Sequence, residues 1–296
     1  MECLFCQTTK SERSYYPRIL FNNKNFEYEI CSNCGLLYIN PLPQVEDYEK
    51  MYPISYQAGV DKTLNNGVEK LIGLRYSYIK HYQLIDKYAP GKIMVDYGCG
   101  NGNFLFNASQ NGYIMDGVEY NPELLLLMKN EFPDSSFFTP DQFFSDSKKY
   151  DVIRMSNVFE HLSNPRDIIC KLQAKLNQSG ILIIEGPIEE NFNIAYIFRK
   201  FYFSFKSTFQ KDWVFTTPPT HIFLSNALNQ RQVFENNRFA TLYYDVTEAE
   251  WPFPEKISFS QGLGYFVKGI IAKVSMQISK VNPRWGNTFI YVGKTK

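Results

Sequence analysis

A glycine-rich turn constrains the fold of this sequence more than any other feature. The turn joins a predicted buried strand at 92–96 to a predicted helix at 103–111 and contains three glycines, Gly98, Gly100 and Gly102. Glycines let the backbone approach a ligand closely, and the start of a helix offers free N–H groups. The turn therefore predicts a binding site for a nucleotide-like ligand in an α/β fold.

A carboxylate at the end of the next predicted strand supports this interpretation. The strand covers 113–119 and ends at Glu119. An acidic residue in this position can accept hydrogen bonds from both hydroxyls of a ribose. A glycine turn alone is weak evidence, but a strand, turn, helix and carboxylate about 20 residues further on are together much stronger evidence.

The spacing of the glycines indicates which nucleotide is bound. Dinucleotide-binding turns follow G-x-G-x-x-G, whereas this turn follows G-x-G-x-G and is preceded by Asp96. That pattern resembles motif I of class I S-adenosylmethionine-dependent methyltransferases. The segment 160–165, with the sequence EHLSNP, follows a predicted strand at 150–157 and also resembles the family. The resemblance covers 70–245 and includes a fifth predicted strand at 181–185, after a helix that we expect to end within 176–180.

The resemblance also implies which residues bind the cofactor. The methionine half is expected near Asp96, Gly98 and Asn157, the ribose at Glu119, and the adenine near Tyr120 and 141–143. The complete implied set is Asp96, Gly98, Cys99, Gly100, Asn101, Gly102, Glu119, Tyr120, Asp141 and Asn157.

Three further residues are candidates for the chemistry of transfer. Methyl transfer is an in-line displacement with the acceptor atom about 3 Å from the methyl carbon, and a hydroxyl acceptor gains from a general base. His221 precedes a predicted helix and is the expected base, because imidazole titrates near neutral pH; its alternative role is to hold a loop. Glu160 and His161 are catalytic candidates, or else they hold the loop and cap the next helix. The remaining histidine, His81, is expected to be a surface or packing residue.

Four of the six cysteines form two C-x-x-C pairs, Cys3 with Cys6 and Cys31 with Cys34, separated by 24 residues. Two such pairs can hold one tetrahedral zinc ion in a closed, structural site. A segment of about 40 residues has too little core to fold alone, so a bound metal ion would stabilise it. The alternative is four unrelated cysteines. Cys170, on a predicted helix, is expected to be a small core residue.

The expected fold is an α/β domain with a Rossmann-like, seven-stranded, mostly parallel sheet flanked by helices. The last strand, 287–292, should lie antiparallel beside 239–245. The predicted segments are a zinc-ribbon-like module at 1–45, a linker and amphipathic helix at 46–91, and a methyltransferase domain at 92–296 with a substrate-covering insertion at about 187–222. Within the second segment, we expect a polar loop at 55–66 and a helix at 68–88.

The cysteine-rich leader narrows the family resemblance. Residues 31–41, followed by Tyr48 and Tyr52, resemble the leader of bacterial methyltransferases that act on sugars in polysaccharide biosynthesis. The segment 220–225 is similar to an H-x-x-x-F-S stretch of that group, with the aromatic residue and leucine exchanged. The implied acceptor is a sugar, nucleotide sugar or glycolipid. The alternatives are an RNA or protein methyltransferase and a non-catalytic zinc-dependent interaction protein with a vestigial cofactor fold.

The segment 192–215 contains ten aromatic residues and one acidic residue, Asp212. We expect a lid over the substrate; the alternatives are a helical insertion that packs on the core and a basic-aromatic patch that contacts a membrane surface.

The net charge of +1 favours no nucleic-acid partner. No apolar run reaches the roughly 18–20 residues of a membrane helix, and the N-terminus has no signal-peptide pattern, so a cytoplasmic protein is expected. The oligomeric state stays open, with a homodimer as one option.

Overall fold

The computed structural model describes residues 1–53, 78–210, 212–248, 262–282 and 285–296, which exclude the expected loop at 55–66 and the first ten residues of the helix expected at 68–88. The strands are β1 (Ser11–Arg13), β2 (Arg18–Phe21), β3 (Lys24–Cys31), β4 (Leu37–Asn40), β5 (Ile93–Tyr97), β6 (Ile114–Val118), β7 (Phe137–Phe138), β8 (Tyr150–Ser156), β9 (Leu176–Pro187), β10 (Val214–Phe215), β11 (Phe223–Leu224), β12 (Phe239–Thr247) and β13 (Thr288–Thr295). The α-helices are α1 (Val45–Met51), α2 (Ile79–Tyr88), α3 (Asn103–Gln110), α4 (Pro122–Glu131), α5 (Pro140–Ser145), α6 (Pro165–Lys175), α7 (Ile194–Phe209), α8 (Ala227–Asn236) and α9 (Leu263–Val281).

A seven-stranded central sheet has the order β12-β13-β9-β8-β5-β6-β7. β13 pairs antiparallel with both of its neighbours, and the other pairs are parallel. This confirms the Rossmann-like, mostly parallel sheet and the antiparallel last strand. In such a sheet, ligands bind outside the carboxyl ends of the parallel strands.

The central sheet is covered on both faces, which explains the nearly continuous apolar sequence of its inner strands. Successive residues of a strand point to opposite faces. Val95, Ile153 and Leu182 therefore join one buried cluster, whereas Met94 and Val152 join the other.

The N-terminal segment forms a second sheet, here called the N-terminal sheet, in which β3 pairs antiparallel with β1, β2 and β4. Two later strands complete it: β10 pairs parallel with β2, and β11 pairs antiparallel with β4. The core of this sheet is continuous with one face of the central sheet, because Phe5 contacts Phe159 and Phe223 at ring-centroid distances of 6.1 and 4.9 Å. The cysteine segment is therefore fixed against the carboxyl edge of the central sheet.

Two local expectations are wrong. The helix expected to end within 176–180 ends earlier, because α6 stops at Lys175 and Leu176 already pairs with Tyr150 as part of β9. Cys170 is exposed instead of buried. It lies on α6 beside Ile169, which is buried, but the helical rotation of about 100° per residue turns its side chain away from that buried face.

Among the residues that the structure describes, no helix is long and apolar enough to cross a membrane.

Candidate active site

A cavity of about 1030 Å³ opens at the carboxyl ends of the parallel strands and is also lined by α1 and by the first turns of α7. All three catalytic candidates, Glu160, His161 and His221, line it. Five of the expected cofactor contacts also line it: Gly98, Gly100, Glu119, Tyr120 and Asn157. The structure therefore brings the two groups of predicted residues together in one cavity.

The glycine turn follows β5 and leads into α3, as expected from the sequence. Gly98 and Gly100 have φ values of 83° and 53°, in the left-handed region that favours glycine. A Cβ atom on Gly98 would lie 2.2 Å from Val158 Cγ2, so only glycine fits between this turn and the segment after β8. Asn157, at the end of β8, also has a positive φ of 51°. Gly98 and Gly100 therefore line the cavity with backbone atoms alone.

The Glu119 carboxylate reaches the cavity from the end of β6 and is also tied to the turn. Its Oε2 accepts a hydrogen bond from Gly100 N at 3.0 Å, and its Oε1 accepts one from Asn121 N at 3.1 Å. Burial raises the pKa of this carboxyl, and the backbone N–H groups oppose that effect. The neighbouring Tyr120 ring is exposed and lies 6.5 Å from the Tyr48 ring. The carboxylate is therefore preorganised, and the Tyr48 and Tyr120 rings line the same cavity.

Asp96 does not line the cavity; it is buried and pairs with Arg154 of β8, whose Nη1 donates to Asp96 Oδ1 at 2.8 Å. Arg154 Nη2 also donates to Glu185 Oε1 at 2.9 Å, and Glu185 Oε2 lies 3.1 Å from His81 Nε2. His81 is thus a packing residue, one of its two expected roles. Arg154 was not predicted from the sequence, although a lone cation within the apolar run of β8 was a visible signal.

The other expected cofactor residues lie outside the cavity lining. Cys99 is buried against Gly117, and Asn101 Oδ1 accepts a hydrogen bond from Asn103 N at 3.3 Å. Gly102 has a positive φ of 75° at the start of α3. Asp141 is exposed on α5 beside Pro140, which does line the cavity. These residues shape the turn and its surroundings.

The two cavity histidines are both held by Nδ1. His161 Nδ1 lies 2.7 Å from the Thr220 carbonyl oxygen and 2.9 Å from the Tyr52 hydroxyl. His221 Nδ1 lies 2.8 Å from Glu189 Oε2. The two rings are 5.0 Å apart, and Glu160 Oε1 lies 3.7 Å from His161 Nε2. Three groups that can bind a proton or a cation thus meet at one end of the cavity.

The surroundings of the two imidazoles shift their pKa values in opposite directions. Burial lowers the pKa of His221, but the Glu189 carboxylate outweighs it and raises that pKa to about 9. Burial also lowers the pKa of His161, and here the nearby Glu160 does not compensate for it. At neutral pH, His221 is therefore charged and His161 is neutral in the ligand-free chain.

The four paired cysteines converge at the edge of the N-terminal sheet. Cys3 Sγ lies 3.6 Å from Cys34 Sγ, and Cys6 Sγ lies 3.5 Å from Cys31 Sγ. All four sulfur atoms lie within 4.8 Å of one another. A tetrahedral zinc ion with Zn–S bonds of about 2.3 Å needs sulfur atoms roughly 3.8 Å apart, so this donor set fits zinc.

Comparison with known proteins identifies the family. A model of the methyltransferase domain family matches residues 74–244, more than half of the chain. The chain belongs to this family, and its class is that of the S-adenosylmethionine-dependent methyltransferases. It is 27% identical over 105 residues to a ubiquinone biosynthesis O-methyltransferase of Glaesserella parasuis serovar 5 (strain SH0165). That match covers 32% of this chain and 44% of the relative, so the chain matches less than half of that protein's length.

Solved structures share the fold at low sequence identity. One is a methyltransferase in complex with the Trm112 methyltransferase activator of Haloferax volcanii, 14% identical with a TM-score of 0.51, over 85% of this chain and 97% of that chain. Another is the [4+2]-cyclase SpnF, 13% identical with a TM-score of 0.52, over 86% of this chain and 96% of that chain. Likeness at this level shows the fold alone, and the second name illustrates that one fold hosts different reactions.

Proposed function

We propose that the protein transfers a methyl group from S-adenosylmethionine to a hydroxyl oxygen of a small molecule, namely a sugar, nucleotide sugar or glycolipid. The observation that carries this proposal is the shared cavity, in which the cofactor turn and the Glu160, His161 and His221 cluster line the same space. The named O-methyltransferase activity of the Glaesserella parasuis relative supports oxygen as the acceptor atom.

The cofactor would bind along the carboxyl ends of β5, β6 and β8. Glu119 would accept hydrogen bonds from the ribose hydroxyls, and the backbone at Gly98 and Gly100 would leave room for the methionine half beside Asn157. Tyr120 would stack on the adenine. In the reaction, the sulfur–methyl bond breaks as an oxygen–methyl bond forms, and the acceptor hydroxyl gives up its proton.

The lining around the histidine cluster supports a sugar-like acceptor. Tyr48 and Tyr52 present aromatic rings to the cavity, and Asn193 and Arg199 add polar groups. Aromatic faces with a few placed polar groups suit a polyhydroxylated ring. Asn193 caps the start of α7 and Arg199 lies in its second turn. This helix would therefore cover the acceptor, as expected for a lid.

We also propose that the four-cysteine cluster holds a structural zinc ion. The closed set of thiol donors supports this, because it leaves no coordination position for a substrate. Asn229 Nδ2 donates to the Cys34 carbonyl oxygen at 3.3 Å and links the cluster to α8. Zinc would therefore stabilise the N-terminal sheet without taking part in transfer.

Isothermal titration calorimetry with S-adenosylmethionine tests the cofactor assignment. We expect one site per chain with micromolar affinity; absence of binding below millimolar would contradict the proposal and favour the non-catalytic interaction protein. Transfer of a labelled methyl group to nucleotide sugars and lipid-linked glycans tests the acceptor class. Cofactor binding together with methylation of only RNA or protein would contradict the sugar assignment.

A further inference from the structure

We propose that Glu160, His161 and His221 form a binding site for a divalent metal ion, at which the acceptor hydroxyl is held during transfer. The inference rests on the proposed function, because it deepens the role of the same cavity. The site is separate in position and chemistry from the four-cysteine cluster.

The donor atoms are close enough for one ion. A carboxylate oxygen of Glu160 and one ring nitrogen each of His161 and His221 lie within 4.8 Å of one another. The separation of Glu160 Oε1 from His161 Nε2 is 3.7 Å. Ligands about 2.0–2.2 Å from a metal are roughly 3.0–3.6 Å apart, so small side-chain shifts complete the site.

Both imidazoles are oriented as metal ligands usually are. Metal-binding histidines donate their second N–H to a carboxylate or a backbone carbonyl, which fixes the ring and the tautomer. His221 Nδ1 faces the Glu189 carboxylate at 2.8 Å, and His161 Nδ1 faces the Thr220 carbonyl at 2.7 Å. Each ring therefore keeps Nε2 for a ligand.

The Glu160 carboxylate supplies an independent observation. Glu160 is only 5% exposed and lines the cavity. Its carboxylate accepts no hydrogen bond from the residues that the structure describes, and its other oxygen lies against Gly186. A buried carboxylate without such partners is costly. A divalent cation bound in the cavity would supply the missing partner.

Two imidazoles and one carboxylate leave coordination positions open, unlike the closed cysteine site, and suit Mn²⁺, Fe²⁺, Co²⁺ or Zn²⁺. A hydroxyl bound in an open position becomes more acidic. Its proton would leave to solvent water, the oxygen–methyl bond would form as the sulfur–methyl bond breaks, and S-adenosylhomocysteine would be released. The metal thus replaces a free imidazole base.

Titration of the full chain with Mn²⁺, followed by electron paramagnetic resonance, tests this site, because thiolates bind Mn²⁺ poorly. We expect one Mn²⁺ per chain. Glu189→Gln removes a hydrogen-bond partner of a ligand and should lower the Mn²⁺ affinity roughly 10–100-fold. Glu160→Gln and His221→Ala remove a ligand itself and should lower the Mn²⁺ affinity further. Glu119→Gln, a cavity carboxylate outside the site, is the matched control and should bind Mn²⁺ normally.

Cofactor affinity measured on the same samples separates the two proposals. Glu160→Gln and His221→Ala should retain S-adenosylmethionine binding, which also shows that they fold. Intact cofactor binding by the wild type without Mn²⁺ binding, or with equal Mn²⁺ affinity in these variants, would overturn the metal site and leave the proposed function standing. Loss of cofactor binding in the wild type would overturn the proposed function instead.

Discussion

Arg154 donates a hydrogen bond from Nη1 to Asp96 Oδ1 at 2.8 Å, and these residues face each other on the paired strands β8 and β5. Both side chains are buried. The acidic residue before the glycine turn therefore balances a buried guanidinium, while its direct contact with the cofactor stays a prediction. Arg154 also contacts Glu185, so three charged groups and His81 connect β5, β8, β9 and α2.

This network predicts a pH-dependent stability. Burial raises the pKa of Glu185, but His81, Arg154 and Ser156 outweigh it and lower the pKa from 4.5 to about 2. A lowered carboxyl pKa stabilises the fold fully above pH about 4.5, and that stabilisation is lost as the pH falls towards 2. Glu185→Gln should therefore lower the free energy of unfolding by about 3 kcal/mol at pH 7 and by roughly 1 kcal/mol at pH 3.

Urea unfolding at both pH values measures this difference. Glu123→Gln, at an exposed position on α4, is the control and should stay close to the wild type at each pH. An equal loss of stability at pH 7 and pH 3 in Glu185→Gln would contradict an ionic contribution from this network.

The turn at Gly98 predicts a combined loss of stability and binding. Gly98 and Gly112 both have positive φ, but a Cβ on Gly98 would lie 2.2 Å from Val158, whereas the nearest atom at Gly112 is 3.9 Å away. Gly112→Ala should lower the free energy of unfolding by only about 1–2 kcal/mol, which is the cost of a left-handed backbone for a residue with a Cβ atom. Gly98→Ala should cost more and should also weaken S-adenosylmethionine binding, because Val158 lines the cavity. Equal losses in urea unfolding would contradict this reading of the turn.

Glu119 offers the sharpest test of the cofactor pose. Glu119→Gln removes the charge that would bind the ribose hydroxyls, and hydrogen bonds to charged groups contribute about 1.5–3 kcal/mol. The Kd for S-adenosylmethionine should rise roughly 10–100-fold in calorimetry. Glu123→Gln should leave the Kd unchanged. An unaltered Kd in Glu119→Gln would show that the ribose binds elsewhere.

The central sheet was predictable because its signals are local. The glycine turn, the capped start of α4 at Asn121 and the apolar runs of β8 and β9 each reflect neighbouring residues. The completion of the N-terminal sheet was not predictable, because β10 and β11 are two-residue strands that pair with β2 and β4 almost 200 residues earlier in the sequence. So short a strand has no periodicity to detect.

The candidate site was predictable only in part. His221 was found from its position between a strand and a helix, but its partner Glu189 was missed, because sequence does not show which of two adjacent acidic residues, Glu189 or Glu190, contacts the histidine. Glu190 instead pairs with Arg199 and with the Tyr15 hydroxyl. Such choices depend on packing between distant segments, which a local pattern does not encode.

Loss of one ligand of the proposed zinc ion should destabilise the N-terminal sheet. Cys31→Ser removes one of the four thiolates, so elemental analysis should show zinc falling from one ion per chain to a trace, with a lower Tm. Cys170→Ser, an exposed cysteine outside the cluster, should change neither. Full zinc content in Cys31→Ser would contradict the four-thiolate site.

The outer face of α7 predicts contact with a membrane surface. Phe203 of this helix packs inwards on Tyr16 at 5.1 Å, whereas Phe198, Phe201, Phe205 and Phe209 form an exposed stripe. α7 has no acidic residue, so anionic lipids would meet little repulsion. Wild-type protein should sediment with vesicles that contain phosphatidylglycerol, and the double variant Phe201→Glu/Phe205→Glu should not. The double variant Leu126→Glu/Leu228→Glu adds the same charge at exposed apolar positions on other helices and should still sediment; loss of binding in both would point to net charge instead of the stripe.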